Sequence, residues 1–159
     1  MKIKYFYLTA GLILYMSARV KVKTKYDDMI RDISSEYGNN PHLVKAIIKI
    51  ESNFNPNAHR LTEKEDSRGL GQINEPTAIA LGVLNVERLF DPEYNIEIMN
   101  KLLINLKKRY SSTTDIIAAY NAGRVIKTQQ GFYFNSVYVL NVYSRFLLYS
   151  INWSYNDRI

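Results

Sequence analysis

The sequence predicts an all-α domain, and three observations point there. From Tyr26 onward, apolar residues recur at three- and four-residue spacings, the period of a helix with one buried face. Strand-like alternation is nearly absent. The breaks between periodic stretches carry helix start and stop chemistry: Asn40-Pro41 and Asp91-Pro92 pair a capping side chain with a first-turn proline, while Gly38 and Gly123 stand where glycines end helices. With 159 residues, 47% hydrophobic and 23% charged, the chain has the length and balance for one compact core.

At the N-terminus, Lys2 and Lys4 precede an apolar stretch from Tyr5 to Met16, closed by the small residues Ser17 and Ala18, which is the layout of a secretory signal peptide. The stretch is shorter than the ~20 residues a spanning helix needs. Being apolar all round, it lacks the polar face of a first helix packed on the core, the competing reading. Met16 fills a place where cleavage wants a small residue, and Arg19, Lys21, Lys23 and Lys25 just downstream oppose the positive-inside bias. Residues 1–25 are therefore read as a signal peptide or an uncleaved membrane anchor with a basic linker, and residues 26–159 as the domain.

The first domain helix is expected over 26–37, ending at Gly38. The second, 41–52, opens at Asn40-Pro41 and is followed by the polar punctuation of Asn53 to Asn57. His59 to Ser67 is polar and without periodicity, so it reads as a loop. Further helices are expected over 76–82, 92–110 (opened by Asp91-Pro92), 114–122 (ended by Gly123) and 134–150.

Composition excludes several classes of function. There is no Cys, hence no disulfide, thiol nucleophile or Cys-ligated zinc. A mean hydropathy of −0.24 is not that of a polytopic membrane protein. The net charge of +6 and pI near 9.4 favour polyanionic surroundings such as anionic lipid, cell wall or nucleic acid. The positive charges gather on no recognition element, which argues against nucleic acid. His42 and His59 lack a metal-ligand spacing and read as surface groups.

In the helix opening at Pro41, Val44, Ile47 and Ile48 form an apolar stripe, and the next position on it is Glu51. By spacing alone, Glu51 either points inward or ends its helix with its head in water. Partial burial would favour the neutral acid, the form a general acid needs at neutral pH. Around it the order of residues is distinctive. Glu51-Ser52-Asn53-Phe54-Asn55-Pro56-Asn57-Ala58 is followed by Ser67-Arg68-Gly69-Leu70-Gly71-Gln72-Ile73, by Ala118-Ala119-Tyr120-Asn121-Ala122-Gly123, and by Tyr138-Val139 with Tyr143. In order and spacing, from about Pro41 to Tyr143, these blocks resemble the lytic transglycosylase domain of the soluble-transglycosylase type, kin to goose-type lysozyme.

The resemblance implies a compact lysozyme-like helical fold with a saccharide cleft. It also implies cleavage of the β-1,4 bond between N-acetylmuramic acid and N-acetylglucosamine in peptidoglycan glycan strands, giving 1,6-anhydromuramyl products without metal or cofactor. Glu51 matches the single catalytic acid. Gly69, Leu70, Gln72 and Ile73 belong to the block lining the cleft, Tyr120 and Asn121 match the pair contacting the acid and the sugar, and Tyr138 matches the late tyrosine beside the carboxylate. Read singly, Gly69 and Gly71 are also turn formers, and Tyr120 and Tyr138 also suit a core position with a hydroxyl at its rim.

The departures from the pattern are Gly71 where Met is usual, Phe134-Asn135 in place of Glu-Thr, and a longer, more charged connection from His59 to Asp66. They leave a cleft wall to be supplied elsewhere and a polar contact near Tyr138 to be accounted for. Two alternatives are a hydrolytic lysozyme using Asp66 or another loop acid to activate water, and a non-catalytic wall-binding or assembly module. Asn74, where goose-type enzymes carry Asp, favours the transglycosylase. The N-terminal segment makes the expected location the periplasm or cell wall by export, or the membrane by anchoring, with partners in secretion-system or phage assembly as further candidates.

Overall fold

The computed structural model describes residues 23–63 and 65–156, with side chains of the last helix to residue 152. The apolar stretch at Tyr5–Met16, and most of the leader or anchor segment, lie outside the described residues. Among the described residues six α-helices carry the fold: α1 Asp27–Glu36, α2 Pro41–Glu51, α3 Glu75–Ala80, α4 Pro92–Lys107, α5 Thr113–Ala122 and α6 Ser136–Asn156, with a 3₁₀ turn at Val86–Phe90. Capping explains where several of them begin. Asn40 Oδ1 accepts the His42 N–H at 2.9 Å ahead of α2, and Asp91 Oδ1 accepts the Tyr94 N–H at 2.8 Å ahead of α4, each with Pro in the first turn. Asn74 and Ser112 cap α3 and α5 in the same manner.

α2 is the central element, packed on α1, α4 and α6, and α5 closes against α4 and α6. Its stripe of Val44, Ile47 and Ile48 is wholly buried, against a core that includes Ile30, Ile96, Met99, Leu103, Ile117 and Val142. Two polar devices fix the packing. Lys45 Nζ, on the buried side of α2, binds Asp27 of α1 at 2.8 Å and lies 4.9 Å from the centre of the Tyr149 ring of α6. Asn39, at the α1–α2 corner, donates to Asn100 Oδ1 of α4 at 2.8 Å.

The segment expected as a loop, His59 to Ser67, is instead largely paired as strand. His59–Leu61 (β1), Asp66–Arg68 (β2) and Ile73–Asn74 (β3) form a small antiparallel sheet in the order β1-β2-β3, with His59 opposite Arg68, Arg60 opposite Ser67 and Ser67 opposite Asn74. Strands of two or three residues are too short to display a period of two, so the pattern has no room to announce them. Arg68 pins the sheet, with Asp66 at 2.7 Å, Glu75 of α3 at 3.5 Å and Glu87 of the 3₁₀ turn at 3.6 Å.

Candidate active site

Glu51 follows directly from the burial of its helix face. The stripe that buries Val44, Ile47 and Ile48 delivers this side chain inward at the last turn of α2. Asn53 and Phe54 then take left-handed backbone conformations, φ 51° and 65°, and turn the chain away immediately after the acid. Glu51 Oε1 accepts a hydrogen bond from the Tyr138 hydroxyl at 2.5 Å. Burial raises its carboxyl to about 7, against the lowering effects of that hydrogen bond and of Arg60, with a further upward push from the charge of Glu65. Tyr120 and Tyr138 are held well above the usual phenol range, chiefly by burial and then by the charge of Glu51, so both hydroxyls keep their protons.

The Gly69–Gln72 turn is a second unit. Gly69 has φ +76°, and a Cβ there would stand 2.0 Å from the Leu89 carbonyl and 2.3 Å from Asn95 Nδ2. At Gly71 a Cβ would meet Met99 Cγ and Sδ at 2.4 Å and the Tyr120 hydroxyl at 2.8 Å. Met99, from α4, thus occupies the space a side chain at 71 would take, and it does so within the core, being fully buried. Tyr120 donates to the Gly71 carbonyl at 2.9 Å, and Asn95 Oδ1 accepts the Gly71 N–H at 2.8 Å. The Asn95 amide donates to the carbonyls of Leu89 and Arg68. Gln72, itself left-handed at φ 47°, donates its side-chain amide to the carbonyls of Ala58 at 2.9 Å and Gly69 at 3.1 Å.

Between these units runs a cleft of about 450 Å³. Glu51, Gln72, Ile73, Tyr120 and Asn121 line it, as do Thr77 and Leu102; Arg60, Thr62, Glu65 and Ser67 of the hairpin form one side. Tyr138 is absent from the lining and is linked to the cleft by its bond to Glu51. Gly69 and Leu70 are absent from the lining: Leu70 is fully buried, anchoring the turn from below. Tyr120 likewise bonds the turn rather than Glu51. Asn135 Nδ2 donates to Asn121 Oδ1 at 2.9 Å and to the Ala118 carbonyl at 3.0 Å, so a polar contact stands at this position despite the departure from Glu-Thr.

The loop acids are sorted by the hairpin. Asp66 is held between His59 Nε2 at 2.8 Å and Arg68 Nη2 at 2.7 Å, outside the lining of this cleft; the hairpin acid facing Glu51 is Glu65. Among the described residues, no group of three His, Asp or Glu side chains is placed to hold a metal ion. Arg60, Glu65 and Met99 join the site without having stood out in the sequence, and Asn95 and Asn135 take roles that their spacing did not show. For Asn95 the available signal was a polar residue on the apolar face of α4, beside Ile96 and Met99.

A family model described as the Transglycosylase SLT domain matches residues 28–136, which takes in α1 and stops two positions short of Tyr138. Among curated proteins, the membrane-bound lytic murein transglycosylases C of Photorhabdus laumondii and Edwardsiella ictaluri are 34% and 36% identical to this chain, each alignment covering 62% of it and 31% of the relative. Among solved structures, the lytic transglycosylase Slt of Pseudomonas aeruginosa superposes with a TM-score of 0.66 at 18% identity, over 82% of this chain and 24% of that one. The 70 kDa soluble lytic transglycosylase of Escherichia coli gives 0.65 at 23% identity, over 79% and 24%. The chain spans about a third of the length of these curated relatives, and the two structures share its lysozyme-like helical fold.

Proposed function

Because the chain belongs to the transglycosylase SLT domain family, we propose that it is a peptidoglycan lytic transglycosylase that cleaves between N-acetylmuramic acid and N-acetylglucosamine. One observation carries this reading: a half-buried carboxyl, Glu51, raised to about 7 and gripped at Oε1 by Tyr138, opens on a polar cleft. At neutral pH a large share of such a group holds its proton, and the bond at Oε1 leaves Oε2 to deliver it.

Glu51 gives its proton to the glycosidic oxygen as the bond from C1 to that oxygen breaks. The resulting carboxylate then takes the proton of the sugar's own C6 hydroxyl as that oxygen bonds C1. The acid is regenerated and the product is a 1,6-anhydromuramyl end. An internal hydroxyl has an effective molarity that reaches ~10⁵ M or more in well-oriented systems, so water loses the competition. Gln72, Ile73 and Asn121 would contact the sugars, while Gly69, Leu70 and Tyr120 would keep the turn in register. Asp66, engaged by His59 and Arg68, is poorly placed to activate water.

Digestion of purified sacculi in oxygen-18 water tests this. Muropeptides should be lighter than hydrolysed ones by one water and unlabelled at C1; labelled reducing ends as the main product would make the protein a lysozyme. Export, with residues 1–25 as a leader or membrane anchor, is part of the same proposal, since peptidoglycan lies outside the cytoplasmic membrane. Among the described residues no helix is long and apolar enough to cross a membrane. Partners in a secretion system or phage particle would follow from where such cutting is needed.

A further inference from the structure

The side of the cleft formed by the hairpin carries two opposite charges that face the same space as Glu51. Strand parity puts them there. Arg60 is opposite Ser67, and Glu65 precedes Ser67 by two, so these three side chains share one face of the ribbon. His59, Leu61, Asp66 and Arg68 occupy the other face. Arg60, Glu65 and Ser67 accordingly line the cleft with Glu51.

The carboxylate of Glu65 is held. Its Oε1 accepts the Ser67 hydroxyl at 2.8 Å, its Oε2 lies 3.7 Å from Arg60 Nη1, and its carbonyl accepts the Thr62 N–H at 2.7 Å across the turn. Ser67 is buried, but the Arg60 and Glu65 side chains are 60% and 40% exposed. An ion pair so open and so long contributes little to folding. Its placement opposite a half-buried acid is the feature that calls for an explanation.

Resting on the function proposed above, we propose that Arg60 and Glu65 act on the reaction through Glu51, as positioning residues of opposite sign: Glu65 keeps the proton on the acid and Arg60 eases it off. The electrostatics agree in direction, since Glu65 raises and Arg60 lowers the carboxyl of Glu51. Among the described residues, the titratable groups facing that carboxyl are Tyr138 from α6, Tyr120 from α5, and these two from the hairpin. Both tyrosines stay neutral, so the hairpin holds the only charges in this set.

The test is the pH profile of anhydromuropeptide release from purified sacculi by the full chain, in which loss of the Glu51 proton sets the alkaline limb. Glu65→Gln should move that limb to lower pH and Arg60→Gln to higher pH, each by roughly 0.3–1 pH unit. The double variant should return near the parent, and Glu65→Asp, which keeps the charge, should stay close to it. Raising the salt to 0.5 M should shrink both shifts. Shifts in one direction for both variants, or none in either, would overturn the proposal, because loss of hairpin structure has no reason to give opposite signs. Carbon-13 NMR titration of the Glu51 carboxyl in the same proteins requires no turnover. Opposite shifts there, with no cutting of the wall, would retain the charge pair and sink the functional reading instead.

Discussion

At the scale of single residues, burying Glu51 has a sign that can be measured. Its carboxyl is at about 7 in the fold against 4.5 for the free group. Between those values the folded state keeps a proton that the unfolded chain releases, so the contribution of Glu51 is fully present below about pH 4.5 and is lost as pH rises through about 7. The loss amounts to about 3 kcal/mol at most. Glu51→Gln should therefore abolish wall cleavage, since an amide donates no acid proton, and should be more stable than the parent at pH 8, the gap closing toward pH 4.5. Urea titrations at the two pH values check it. A gap of the opposite sign would mean that Glu51 is stabilised as a carboxylate. Tyr138→Phe removes a bond that lowers Glu51, so the alkaline limb of the activity profile should move up in pH while turnover falls at least tenfold. Unchanged turnover and an unmoved limb would reduce Tyr138 to a packing residue.

Among elements, α2 has two duties: it carries the acid at one end and is pinned midway by a buried charge. Lys45 has a fully buried side chain, and desolvation lowers its ammonium despite Asp27. Its partner sits at the first residue of α1, where Thr24 donates to the other carboxylate oxygen at 2.5 Å. Replacing Asp27 by Asn leaves an uncompensated buried ammonium, for which ~3–5 kcal/mol is the usual cost. Chemical denaturation of Asp27→Asn should show a loss of that order, and a loss under 1 kcal/mol would mean that the pair is solvated in solution. The hairpin contrasts with α2: it is secured at one buried guanidinium, Arg68, and by short ladders, which leaves its charged face free for the cleft.

For the whole molecule, the site and the described core lie downstream of Lys23. The core closes with Tyr26 and Ile30, and all lining residues of the cleft lie beyond it. A protein covering residues 23–159 should fold and cut sacculi in vitro, whereas the full chain alone should fractionate with the envelope. An unfolded truncation would make Tyr5–Met16 a core helix and remove the export reading.

What the sequence determined by itself was local: the period of the apolar residues located all six helices, the caps at Asn40 and Asp91 located two of their starts, and the stripe of α2 pointed at Glu51. Each is decided within a few turns of one chain segment, where spacing is a direct image of geometry. The order of the blocks around Glu51, Gln72, Tyr120 and Tyr138 carried the family. Only the tertiary structure decided which hairpin acid joins Glu51 in the cleft: it is Glu65, and not Asp66, the acid named first in the competing lysozyme reading. Strand parity in a hairpin depends on register, and a slip of one residue exchanges the two faces. It also decided that Met99 fills the space at Gly71, that Asn95 holds the Gly69–Gln72 turn and that Asn135 supports Asn121. These pairs are between 14 and 28 residues apart in the chain, and long-range contacts leave no period for a single sequence to display.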